Sequence, residues 1–287
     1  MVAIPDPIRW PLEVIWQAVE PFLPGFTCEV LPAIGSTNSE LMRRFKAGQM
    51  EPTLLVAEQQ TAGRGRLGRQ WHSQRGDSLT FSLGLPLAPT DWSGLSLAVG
   101  VSLADSLDAT HAPQHRIALK WPNDIWLVRN DIKLKLADRK LAGVLVETAA
   151  FEGQRYVAIG VGINVRPNQH NFQHTFQKTI DVAAQGSTAI APGCLQDVHP
   201  DADVASTLLR VVLPLVQTVQ AFAQSGFAPF QAGFARRDVL SGRAVNLSDG
   251  TTGQAHGVTP TGALLVHTAL GMKEITSDEV TVRPCLD

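Results

Sequence analysis

The sequence predicts an α+β protein with a mixed central sheet and flanking helices, followed by a small all-β unit. Three observations carry this. Helical and strand-like runs alternate over about residues 11 to 223. Several strand-like runs are apolar on both faces, as strands inside a covered sheet are. Past Ser241 the texture changes to short alternating runs punctuated by Asp249-Gly250, Pro260 and Gly262, the signature of a small β-barrel.

Residues 11 to 22 read as a short amphipathic helix. Residues 39 to 46 read as a second, its start marked by a capping box, Thr37-Asn38-Ser39-Glu40. Strands are expected over residues 54 to 57, 79 to 85, 117 to 120, 125 to 128, 141 to 147 and 156 to 165. Between them, Val99, Leu103 and Leu107 keep the spacing of a helix facing a sheet. A longer helix, about residues 202 to 223, is expected to bend at Pro214. Runs at 244 to 247, 253 to 258, 263 to 267 and 274 to 282 make the terminal β unit. The boundary falls near residues 236 to 241, giving a domain 1 to 236 and a small domain 237 to 287.

With 287 residues, of which 44% are hydrophobic and 17% charged, the chain can bury a sizeable core. No stretch approaches ~18 apolar residues, and no basic segment followed by a continuous apolar run opens the chain, so neither a membrane span nor a secretory signal is expected. Cytoplasm is the default location. A net charge of -2 gives no basic footprint for nucleic acid. Cys28, Cys194 and Cys285 are far apart with no CxxC, which argues against a disulfide framework or a zinc site. His170 and His174 have metal-pair spacing but no nearby third ligand.

Gly63-Arg64-Gly65-Arg66-Leu67-Gly68-Arg69 puts arginines on a loop kept open by glycines. Glycine lets backbone N–H groups approach a ligand closely. Each guanidinium offers planar donors to phosphate or carboxylate oxygens. The spacing also satisfies GxGxxG, but a dinucleotide fingerprint should open into a helix, whereas residues 69 to 76 are polar and aperiodic. A solvated charged loop without a ligand stays open as an alternative.

Further clusters follow. In Lys120-Trp121-Pro122-Asn123-Asp124, Pro122 interrupts a strand and the turn exposes an amide and a carboxylate, unless it is a plain connecting turn. In Asp138-Arg139-Lys140-Leu141-Ala142-Gly143-Val144-Leu145-Val146-Glu147, Lys140 precedes an apolar strand with a glycine at its fourth position, where lysine is ordinarily a solvated end. In Gly160-Val161-Gly162-Ile163-Asn164, an amide in an apolar strand needs a partner, either ligand or backbone.

Taken together, these segments with Ser36-Thr37-Asn38 and residues 57 to 69 resemble the biotin protein ligases over about residues 30 to 165. The tail is similar more loosely, through Gly262-Ala263-Leu264-Leu265 and residues 277 to 283. The resemblance implies a class II synthetase-like biotin/lipoate ligase fold with a small C-terminal SH3-like β-barrel. It implies an enzyme that activates biotin with ATP as biotinoyl-AMP and transfers it to a lysine of the biotin carboxyl carrier domain of acetyl-CoA carboxylase. The segment before Ser36 is too short for a winged helix-turn-helix, so the ligase-only class is expected, with no DNA and no membrane partner, as a monomer or homodimer.

Residue by residue, the resemblance places Ser36, Thr37, Asn38, Gln60, Arg64, Gly65, Arg66, Lys140 and Gly143 at the biotin. It places Arg69, Trp71, Asn123, Asp124 and Asn164 at the nucleotide, with Asp124 helping to hold Mg²⁺. Arg66 and Lys140 are the catalytic cations. The segment between Asp124 and Lys140 is longer than usual in the family, which makes Lys133 and Lys135 rival cations outside the RKLAG context. A lipoate ligase, which shares the fold and chemistry, and a non-catalytic biotin-sensing regulator are the alternatives.

Overall fold

The computed structural model describes residues 7–108, 117–128, 138–167, 192–276 and 282–284. In chain order the elements are α1 (Leu12–Val19), β1 (Thr27–Leu31), α2 (Thr37–Lys46), β2 (Thr53–Ala57), β3 (Ser78–Pro86), α3 (Leu95–Leu107), β4 (Ile117–Lys120), β5 (Asp124–Leu127), β6 (Arg139–Phe151) and β7 (Gln154–Asn164). Then come α4 (Val204–Ser225), α5 (Gln231–Arg237), β8 (Ala244–Leu247), β9 (Thr252–Val258), β10 (Leu264–Thr268), β11 (Gly271–Ile275) and β12 (Val282–Pro284).

The main sheet runs β1-β2-β3-β7-β6-β5-β4. β1 and β2 are parallel and the other neighbours antiparallel, so the sheet is mixed as expected. Its two faces differ because side chains alternate along a strand. On one face Leu54, Val56, Leu79, Phe81, Leu83, Val157, Ile159, Val161 and Ile163 join Ile15 and Val19 of α1 and the buried stripes of α3 and α4 in one apolar cluster. Each such buried side chain contributes about 1.5–3 kcal/mol relative to exposure. The opposite face carries small residues, Thr80, Ser82 and Gly84 on β3 against Gly162, Gly160 and Ala158 on β7. There α2 packs Leu41 onto Leu55 and Ala158. The thin face leaves room for the site.

Several expectations need correction. The N-cap of α2 is Ser36, whose hydroxyl accepts from the Ser39 N–H, rather than Thr37. Thr37 is committed elsewhere, since its N–H donates to Gln60 Oε1 at 2.8 Å. The run expected at 274 to 282 is not one strand: β11 pairs with β10, whereas β12 pairs with β8. Among the described residues one helix, α4, is by length and composition apolar enough to cross a membrane. Its apolar stripe, Leu208, Val211, Val212, Leu215, Val216 and Val219, is spent in the core. His170, His174, Cys285, Lys133 and Lys135 lie outside the described residues.

The C-terminal strands form a five-stranded antiparallel sheet, β11-β10-β9-β8-β12. It is joined to the main body through Leu119, whose carbonyl accepts from the Val239 N–H at 3.0 Å, and through Trp121, whose Nε1 donates to the Gly262 carbonyl at 3.0 Å. Arg243 adds an ion pair to Asp138 at 2.7 Å.

Candidate active site

A cavity of about 610 Å³ opens on the small-residue face, between the start of α2, the glycine-arginine loop, the β4–β5 turn and β6. Its size is that of a small-molecule site. It is lined by Ser36, Thr37, Asn38, Gln60, Arg64, Gly65, Arg66, Arg69, Trp71, Asn123, Asp124, Lys140 and Gly143. Four segments distant in sequence therefore converge. Asn164 is the exception: it ends β7 opposite Ser78 and does not line the cavity.

The loop is a tight hairpin. The Gly65 N–H donates to the Arg69 carbonyl at 2.7 Å and the Trp71 N–H to the Gly63 carbonyl at 2.9 Å. Leu67 and Gly68 take left-handed backbone angles, φ 55° and 71°, at the tip. No helix follows, as the argument against a dinucleotide fingerprint requires. The Gln60 N–H donates to Ser73 Oγ at 2.8 Å and anchors the loop's base.

At the neutral end, Ser36, Thr37 and Asn38 are buried. Thr37 Oγ1 donates to Gln60 Oε1 at 3.2 Å, and Ser82 Oγ lies 2.6 Å from both Thr37 Oγ1 and Asn38 Oδ1. Asn38 Nδ2 donates to the Leu145 carbonyl at 3.1 Å and to Glu147 Oε2 at 3.0 Å. Fixed hydroxyls and amides of this kind match a ligand rich in neutral donors and acceptors. The glycines of β7 create the space. A Cβ on Gly160 would stand 2.5 Å from Asn38 Oδ1, and one on Gly162 would collide with the Trp71 indole.

At the charged end, Lys140 Nζ pairs with Asp124 Oδ1 at 2.6 Å and stands 5.9 Å from the centroid of the Trp71 ring. A β-bulge between β5 and β6 near Lys140 accompanies this pairing. Its neighbour Arg139 is spent on Asp197 at 2.8 Å, which leaves Lys140 as the RKLAG cation that faces the cavity. Gly143 lies against this pair, since a Cβ there would sit 3.1 Å from Lys140 Nζ. Asn123 Nδ2 donates to the Val144 carbonyl at 2.7 Å, so the β4–β5 turn is braced on β6. Among the described residues, no cysteine is suited to nucleophilic chemistry here. Burial pushes the Cys28 thiol up to about 12 and the Cys194 thiol up to about 11, and neither residue lines the cavity.

A profile of the biotin/lipoate A/B protein ligase family matches residues 30–164. The bifunctional ligase/repressor BirA of Escherichia coli (strain K12) is 31% identical over 268 residues, which cover 91% of this chain and 75% of that one. The chain belongs to the biotin/lipoate A/B protein ligase family. Within that family, the biotin–[acetyl-CoA-carboxylase] ligase of Paracoccus denitrificans is 29% identical over 88% of this chain and 98% of its own. The solved structure of the biotin protein ligase from Aquifex aeolicus in complex with biotin and ATP superposes with a TM-score of 0.68 at 27% identity, covering 90% of this chain and 99% of that one. The mixed sheet with flanking helices is thus the fold of a known family of ligases.

Sequence reading missed Ser82, Ser39 and Glu147, which hold the predicted residues in place. The available signal was the period of two: Gly143, Leu145 and Glu147 alternate along β6 and so share one face.

Proposed function

We propose that this protein is an ATP-dependent biotin protein ligase, which activates biotin as biotinoyl-5′-AMP and transfers it to a lysine of the biotin carboxyl carrier domain of acetyl-CoA carboxylase. One observation carries the reading: a neutral hydrogen-bonding set (Ser36, Thr37, Asn38, Gln60) and a charged set (Arg66, Arg69, Lys140, Asp124) line a single cavity. The first suits a ureido ring and the second a triphosphate.

In the first step a biotin carboxylate oxygen attacks the α-phosphorus of ATP. A phosphorus–oxygen bond forms, the bond from that phosphorus to the bridging oxygen breaks, and pyrophosphate leaves with the electron pair. Negative charge grows on the phosphate oxygens, and Arg66, Arg69 and Lys140 are placed to stabilise it. In the second step an acceptor lysine amine attacks the acyl carbon, an amide forms, AMP leaves, and the amine proton is lost.

Mg²⁺ supplies charge neutralisation on the phosphates. Asp124 is the carboxylate that would hold it, and its hard oxygen donor suits the ion. Among the described residues no group of three or more His, Cys, Asp or Glu side chains forms a preformed cage, which fits an ion that arrives with the nucleotide. With nucleotide and metal bound, Lys140 would serve the phosphate oxygens and Asp124 the metal.

We further infer domains 1 to 236 and 237 to 287, the latter an SH3-like barrel, on the strength of the separate antiparallel ladder that begins at Ala244. Asn164 is retained as a nucleotide contact reached through the sheet end, and cytoplasmic location goes with the free Cys28 and Cys194. The family also holds lipoate ligases. A dithiolane offers no donor or acceptor to the remaining hydrogen-bonding capacity of the neutral polar set, which favours biotin.

The test is incubation with ATP, Mg²⁺, biotin and a purified carrier domain, read by intact mass. One biotinyl addition is expected on the carrier. Addition from lipoate but not from biotin would overturn the reading.

A further inference from the structure

Glu147 ends the apolar run that follows Lys140, where the sequence assigns it no role, yet its carboxylate joins two other segments of the site. One oxygen, Oε2, accepts from Asn38 Nδ2 at 3.0 Å, and the other, Oε1, pairs with Arg64 at 3.1 Å. Asn38 belongs to the first turn of α2 and Arg64 to the glycine-arginine hairpin, two segments that both line the cavity. The same guanidinium donates to Ser39 Oγ at 3.2 Å, so Arg64 is held between α2 and β6.

The strand places the acid there. Along β6 the residues Gly143, Leu145 and Glu147 share a face; the first two line the cavity, and Glu147 lies one step further, opposite Ala158. Arg64 has 53% of its side chain exposed and Glu147 has 24%, and a pair this open contributes little to stability. What it fixes is geometry. Arg64 is flanked by Gly63 and Gly65, and a glycine-flanked loop has large conformational freedom to lose. A carboxylate that grips the loop and α2 at once removes part of that freedom before ligand arrives.

We propose that Glu147 is a positioning residue for the biotin end of the site: through Arg64 and Asn38 it locks the hairpin to α2 so that Ser36, Thr37 and Gln60 are presented in one fixed arrangement. The inference rests on the biotin-ligase reading. It also gives Arg64 a place at the neutral end, apart from the phosphate role proposed for Arg66, Arg69 and Lys140.

The experiment is pyrophosphate release in the absence of acceptor, with biotin varied at saturating ATP, for the full chain and for Glu147→Ala, Glu147→Gln, Arg64→Ala and the Glu147→Ala/Arg64→Ala double variant. Melting temperatures are recorded alongside. Glu147→Gln keeps the shape but offers an amide nitrogen to one of two donors, so it should keep the wild-type melting temperature. It should nonetheless raise the KM for biotin about tenfold, with kcat within about twofold. The double variant should be no worse than the poorer single one, because both break the same link. A wild-type KM in Glu147→Gln, or effects that multiply in the double variant, overturns the proposal. A wild-type protein that releases no pyrophosphate with biotin sinks the ligase reading itself, and this inference with it.

Discussion

Lys140 Nζ lies 2.6 Å from Asp124 Oδ1, so the cation proposed for catalysis and the carboxylate proposed for Mg²⁺ are each other's partner. Because β5 and β6 are adjacent antiparallel strands, with Asp124 opposite Gly143, the pair is set by the sheet and not by a mobile loop. Lys140→Ala should cut adenylate formation by about a hundredfold or more, the scale of losing one preorganised electrostatic group. Lys133→Ala and Lys135→Ala should stay within about twofold. Single-turnover pyrophosphate release measures all three, and a larger loss at either of the latter would show that the cation was assigned to the wrong lysine. Asp124→Asn should raise the Mg²⁺ requirement about tenfold and leave biotin binding unchanged.

The glycines of β7 give a second prediction. A methyl group on Gly160 meets Asn38 Oδ1, which Ser82 Oγ holds from the other side. Gly160→Ala should cost about 1–3 kcal/mol of stability through overpacking and weaken biotin binding with it. Gly162→Ala displaces the Trp71 ring and should weaken ATP more than biotin. Calorimetric titration with each ligand separates the two, and an unchanged pair of affinities would show that the ring and the amide can move aside.

The hairpin itself should order on ligand. Arg66 sits on a loop, not in the core, so Arg66→Ala should speed escape of the adenylate with little loss in melting temperature. Residues 62 to 76 should resist protease when biotin and ATP are both present and be cut readily without them. Equal losses of stability and of adenylate retention in Arg66→Ala would contradict this.

Much of this was legible in sequence, and the reason differs from element to element. The central strands of the main sheet are apolar on both faces or alternate cleanly, and they match expectation within a residue or two, except that β6 runs four residues past its expected end at 147, to Phe151, where the strand turns exposed and loses its apolar pattern. Strand β1, Thr27–Leu31, was missed because it is an edge strand, largely half-buried and carrying Glu29. Helix α5 was missed because it is short and holds Gly233, which packs close to Val101 of α3. At the site, the glycine-arginine loop and the KWPND turn announce themselves by composition. Glu147 and Ser82 do not, since an acid or a serine on a strand means little until the partner strand and α2 are in place.

Asp238 gives a pH-dependent prediction. Burial pushes its carboxyl up to about 6, against the pull of the Leu240 and Ser241 N–H groups and of Arg243. Its Oδ2 is sealed from solvent with no partner among the described residues. A carboxyl with a folded-state pKa above its unfolded value binds more protons when folded, so its contribution to stability falls as pH rises from about 4 to about 6 and stays low above that. Asp238→Asn should therefore stabilise the protein by about 1–2 kcal/mol at pH 7.5, a gain that shrinks as pH falls through about 6 and approaches zero only near pH 3.5. Denaturant melts of both proteins at the two ends of that pH range measure it. A loss at pH 7.5 would mean that the ionised form is needed where it stands.

The central claim is that one cavity joins a ureido-binding end to a phosphate-activating end, and its most direct test omits the acceptor protein. The protein is incubated with ATP, Mg²⁺ and either biotin or lipoate, and the bound nucleotide is identified by mass. Biotinoyl-AMP retained by the protein, with no lipoyl-AMP under the same conditions, is the predicted result. Lipoyl-AMP formed at a comparable or greater rate would contradict it.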